Sequence, residues 1–163
     1  MAGRLVIRRD HGWRRIKADV LRLRNQEVKV GLRAGKGVSD DGIPVVEYAY
    51  LNEFGTEHIP ARPFLRRTAD EAKGGPLSAH ARNLVAGLIR GRLTVDGVLD
   101  GVGLWFRARV QATIRSAKSW AVPNAPYTIK RKGSSFPLID DGRMAENVDY
   151  EKVRGGFRRR IGL

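Results

Sequence analysis

The stretch from Glu47 to Arg66, reading EYAYLNEFGTEHIPARPFLR, leaves the backbone fewer options than any other part of the chain. Tyr48, Leu51 and Phe54 fall at helical spacing and predict one apolar face on a short helix, which Gly55 ends by supplying a left-handed residue. Proline displaces its predecessor from the α region, so Ile59 before Pro60 and Arg62 before Pro63 are expected to be extended. Pro63 suits the first turn of a new helix, where a missing N–H costs nothing, and Phe64 and Leu65 are the expected anchors in a core. The segment holds no nucleophile–base pair and no metal-ligand cluster, Glu53 with His58 being a weak pairing. A stiff, positioned passage of this kind reads as a packing or assembly device.

Length admits one domain with a real core, and 42% hydrophobic with 29% charged residues is a globular composition. The charge is less ordinary. Against 17 acidic residues stand 31 Lys plus Arg, a formal net charge of +14, which favours contact with nucleic acid or with an acidic protein surface without choosing between them. The basic residues are densest from Arg4 to Arg24 and from Arg154 to Arg160. Cysteine is absent, which removes both a disulfide framework and a thiolate metal site and is consistent with a reducing compartment. No run approaches the roughly 20 apolar residues that a bilayer span needs, so no membrane association is expected and the product is expected to stay where it is made.

Elsewhere the periodicity assigns most elements. Leu5 to Ile7 is a possible strand, and Asp10 is a suitable cap for a helix over His11 to Arg24, with Trp13, Ile16, Val20 and Leu23 on one face and cations over the rest. That basic amphipathic helix is expected to lie on a sheet rather than on a membrane or on DNA. Val28, Val30 and Leu32 alternate with Lys29, Gly31 and Arg33 as a half-buried strand. Ala34 to Gly42 is a glycine-rich loop without the order of a phosphate-binding loop, and Ile43 to Val46 resumes an extended run. Beyond Pro63 a helix should reach about Lys73, break at Gly74, Gly75 and Pro76, and resume along Leu77, Ala81, Leu84, Val85 and Leu88. Thr94 caps the longest periodic element, in which Gly97 and Gly101 are expected to permit close approach of a neighbour. Ser119 to Pro137 lacks periodicity and is expected to be a long loop whose aromatic and basic residues suit either stacking on single-stranded nucleic acid or docking on a partner. Asp140 is a candidate cap, Gly142 to Met144 a tight turn or single helical turn, Val148 to Glu151 a strand and Phe157 to Ile161 its partner.

These readings give an α+β fold, a small and mostly antiparallel sheet against two or three long helices, with a basic extension over residues 1–27 and a single domain over residues 28–163. His11, His58 and His80 are scattered, and the adjacent pairs Asp40–Asp41 and Asp140–Asp141 point apart in regular structure. Serine lacks both the nucleophile-elbow and the SxxK pattern. Neither catalysis, nor a metal, nor any cofactor is expected.

The block NEFGT followed by IPARPFLR, that is Asn52, Glu53, Phe54, Gly55 and Thr56 with Ile59, Pro60, Arg62, Pro63, Phe64, Leu65 and Arg66, resembles the neck and tail-completion proteins of long-tailed bacteriophages, the family of the lambda Z-type minor tail proteins. A second block, NAPYTIKRKGSSFPLIDDGRM from Asn124 to Met144, is similar to that family's later signature and stands in the same order. The chain departs from the family at Asp141, where relatives have Thr, and at the Gly74-Gly75-Pro76 break. The resemblance implies the same α+β fold and a structural role in the virion neck after assembly in the host cytoplasm. There a homo-oligomeric ring, expected to be a hexamer, would join the head-to-tail connector or adaptor proteins to the tail terminator or tail tube around packaged DNA. The first block would then be an interface passage. Trp120, Pro123, Asn124, Pro126, Tyr127, Lys130, Arg131, Lys132, Pro137, Leu138, Ile139, Asp140, Gly142 and Arg143 would form a docking segment that orders on assembly. The alternatives are the neighbouring tail-terminator ring and a free basic nucleic-acid-binding module.

Overall fold

Gln26–Leu32 (β1) and Val148–Arg154 (β2) pair antiparallel, Gln26 opposite Arg154 and Leu32 opposite Val148, so the sheet unites an early and a late segment. The structure, a computed structural model, describes residues 12–39, 42–139 and 142–154. Alternation along β1 turns Val28, Val30 and Leu32 to one face. Val30 and Leu32 meet a core built on Phe64, Val110, Ile114 and Val148, whereas Val28 meets a second cluster of Leu88, Val95, Val98 and Leu99. With the helices below, this is the α+β architecture that the periodicity predicts.

Among the described residues the helices are Trp13–Arg24 (α1), Val45–Phe54 (α2), Phe64–Lys73 (α3), Pro76–Ile89 (α4), Val95–Arg115 (α5), Pro126–Lys132 (α6) and Arg143–Glu146 (α7). The longest, α5, lies against both strands and against α3, α4 and α7. Its start follows the sequence signal: Thr94 is extended and its Oγ1 accepts from the Gly97 N–H at 3.0 Å. Gly101 does admit a neighbour, since a Cβ there would stand 2.8 Å from Leu84, but Gly97 meets only ordinary contacts. The tightest approach is at Gly103, where an added Cβ would lie 2.3 Å from the Tyr150 ring of β2.

Several expectations need correction. Helix α1 starts at Trp13 after Gly12, whose φ of 89° is left-handed, while Asp10, the Leu5 to Ile7 strand, the Phe157 to Ile161 strand and the Asp140 cap lie outside the described residues. A boundary after residue 27 falls inside β1. Arg15 also donates to the carbonyls of Leu88 at 3.1 Å and Ile89 at 2.9 Å, tying α1 to the end of α4. The run from Ile43 to Val46 is extended only as far as Pro44 (φ −56°, ψ 130°), which bridges Val38, because α2 begins at Val45, which is buried. The buried face of α2 is Val45, Ala49, Asn52 and Glu53, and Phe54 points outward, 57% exposed. Pro63 precedes α3 as its cap residue rather than entering the first turn. Residues 119–137 are not loop throughout: Pro126 opens α6 and Gly133, left-handed at φ 67°, closes it.

Candidate functional site

Two segments far apart in sequence meet at one side chain. Arg62 is 7% exposed, and all its partners are neutral oxygens. Nε donates to the Val122 carbonyl at 2.8 Å and Nη1 to the Asn52 Oδ1 at 3.1 Å. Nη2 donates to the Pro123 carbonyl and to the Asn124 Oδ1, each at 3.2 Å. Burial lowers the guanidinium pKa from its ordinary value, with Tyr48 acting the other way. The backbone joins in, the Arg62 N–H reaching the Asn52 carbonyl at 2.6 Å. Asn124 passes the link on by donating from Nδ2 to the Phe136 carbonyl at 3.0 Å. Both sequence blocks therefore converge on one buried cation.

The turn before Arg62 is fixed by Gly55 and Thr56. Gly55 has φ 75°, and a Cβ there would stand 2.8 Å from the Ala61 nitrogen. Thr56 donates its N–H to the Ile59 carbonyl at 2.8 Å, while its Oγ1 accepts from the N–H groups of His58 at 3.2 Å and Ile59 at 3.0 Å. Neighbouring Glu53, 3% exposed, makes no pair with His58. Its carboxylate accepts from the N–H groups of Leu65 at 2.8 Å and Arg66 at 3.1 Å, completing the start of α3 that Pro63 leaves uncapped. The positive end of a helix dipole favours an anion there. Arg66 closes the loop with Nε to Glu53 at 3.1 Å and Nη2 to the Glu53 carbonyl at 2.5 Å. Glu53 and Phe64 are thus consumed inside the molecule, and of Arg62 only an edge reaches the surface.

What the first block does expose is aromatic and cationic. The rings of Phe54 and Tyr50, 57% and 61% exposed, lie 4.7 Å apart, and the Arg66 guanidinium lies over Phe54 at 5.3 Å. In the second block Leu138 and Pro137 are buried and Ile139 is half-buried, whereas Pro123, Pro126, Lys130, Arg131 and Tyr127 are exposed, Tyr127 by 77%. Lys132 donates to the carbonyls of Phe136 at 3.3 Å and Ile139 at 2.6 Å. Trp120 donates Nε1 to the Thr113 carbonyl at 3.0 Å beneath Arg67, and Arg143 donates to the Val38 carbonyl at 2.5 Å after left-handed Gly142. Leu138 itself is left-handed at φ 61°, a strained conformation for a buried leucine.

A charged seam ties β2 to α5 on another side. Lys152 Nζ stands 3.0 Å from Asp100 and 3.6 Å from Asp96, and the Tyr150 hydroxyl donates to Asp100 at 3.1 Å. The Lys152 hydrogen bond lowers the Asp100 pKa and the same bond raises that of Lys152. Lys36 lowers the pKa of Asp149 in the same manner, and burial followed by Asp100 raises that of Tyr150. Among the described residues no three His, Asp or Glu side chains gather as a metal site, and no helix is long and apolar enough to cross a membrane.

Sequence reasoning found the two blocks but missed the roles of Asn52 and Glu53. The only signal was their position, immediately before the glycine stop, where a side chain can reach the start of the next helix. No protein-family model, curated protein or solved structure matches this chain.

Proposed function

We propose that this protein is a structural subunit of the phage head-to-tail junction, a ring component that completes the tail and joins it to the connector around the DNA channel. The observation that carries the reading is the Arg62 knot, because both sequence blocks on which the resemblance rests converge on it and thereby form one spatial unit. Rigid internal bracing of both blocks leaves a surface of Tyr50, Phe54 and Arg66, the residue types that dominate protein interfaces. Among the described residues nearly as many large apolar side chains are exposed as hydrophobic ones are buried, as expected of a subunit that completes its packing on assembly. The ring is homo-oligomeric, with connector or adaptor proteins on one side and terminator or tube proteins on the other. The net charge of +14 faces acidic partners or DNA in the channel.

Deletion of the gene from the phage genome that encodes it tests this. Filled heads and separate tails are expected, with joined infectious particles restored when the purified protein is added to the lysate. Joined particles that lack the protein would overturn the reading.

A further inference from the structure

A cleft of about 290 Å³ opens beside the Arg62 knot, between α2, the turn at residues 56–60 and α6. Arg62, Arg131 and Lys132 line it together with Leu51, Ile59 and Leu138, and among the described residues no carboxylate does. Arg62 is desolvated against neutral oxygens alone, and among the described residues the Arg131 side chain has neither an ion pair nor a hydrogen bond. A buried cation without an anion is electrostatically incomplete, and a negative group brought to its edge interacts more strongly than it would in open solvent. We propose that this cleft binds an acidic peptide segment of a partner protein, its carboxylate against Arg131 and the rim of Arg62 and its apolar side chain against Leu51, Ile59 and Leu138.

Apolar walls interleaved with a few placed polar groups are the make-up of a site that takes a side chain rather than a bare ion. The cleft has room for one or two residues. The proposal rests on the cleft and not on the virion reading, so either stands if the other fails.

The test is fluorescence anisotropy on the full chain with a labelled peptide of alternating Leu and Asp, beside peptides in which Asn replaces Asp or Ser replaces Leu, and a labelled single-stranded oligonucleotide. The Leu–Asp peptide is expected to bind with at least tenfold preference over each control peptide, and R131E, at an exposed helix position, to weaken it at least tenfold. R131A should weaken it less, while R92E, in the turn between α4 and α5, removes the same net charge and should leave binding unchanged. Equal losses in R131E and R92E, or tighter binding of the oligonucleotide than of the peptide, would overturn the proposal. So would a tenfold gain in affinity when the chain's own Asp140 and Asp141 are replaced by Asn, since that pair would then be the cleft's occupant.

Discussion

Glu53 and Arg62 carry much of the local order around the first sequence block, and their removal should show it. Glu53→Ala strips two N–H groups at the start of α3 of their acceptor and is expected to lower stability by about 2 kcal/mol in urea unfolding. Arg66→Ala, which breaks only the half-exposed side of the same pair, is expected to cost under about 1 kcal/mol. Arg62→Leu leaves oxygens on Asn52, Val122, Pro123 and Asn124 without a donor and is expected to cost about 3 kcal/mol. Comparable losses for Arg62→Leu and Arg66→Ala would contradict this ranking. At Gly103 the obstacle is the Tyr150 ring, so Gly103→Ala is expected to cost about 1–3 kcal/mol, most of it recovered when Tyr150 is also cut to Ala in a double-mutant cycle. None of these partners is legible in sequence. Glu53 reads as a helix-surface carboxylate until the N–H groups it satisfies come round from residues 65 and 66. Gly103 is indistinguishable from Gly97 until a ring 47 positions later settles on it.

Elements were more legible than contacts where a stop or start has a local cause. The alternation from Val28 to Leu32, the stop at Gly55, the break at residues 74–76 and the Thr94 cap all lie within a few residues of what they decide, and each stands where it was read. Helix α6 carried its own local signals, Pro126 and Gly133, but its basic run and short length hid it within an apparent loop. Phe54 was misassigned because helical spacing alone does not say which side meets the core, and burial of Asn52 and Glu53 turned α2 the other way. The join of β2 to α5 should respond to pH. Lys152 holds the folded Asp100 pKa below its ordinary value of about 4, so that stability is present above pH 4 and lost as pH falls through the folded value. Lys152 is raised by the same bond, so its share is present below about pH 10.4 and lost as pH rises through its own folded value. Melting curves between pH 2 and 5 are expected to fall less steeply for D100N than for the unmodified chain, and parallel curves would deny the seam this role.

For the whole molecule, the exposed Tyr50, Phe54 and Arg66 face and the net positive charge predict association governed by both apolar contact and salt. Sedimentation with acidic partners at 50 and 500 mM salt is expected to show complexes that loosen as ionic strength rises, because screening acts on exposed charge. Tyr50→Ser with Phe54→Ser is expected to leave the melting temperature within a few degrees while abolishing restoration of joined particles. Restoration by that variant would remove this face from the junction. One consequence of the sheet concerns synthesis. Because β1 pairs with β2, Leu32 waits for Val148 while about 115 intervening residues are translated. At ribosomal speeds of about 5–20 residues per second that is on the order of ten seconds, during which β1 stands without β2. A nascent copy stalled before Val148 keeps that edge open to any passing chain, so premature termination yields a sticky fragment rather than a merely shorter subunit.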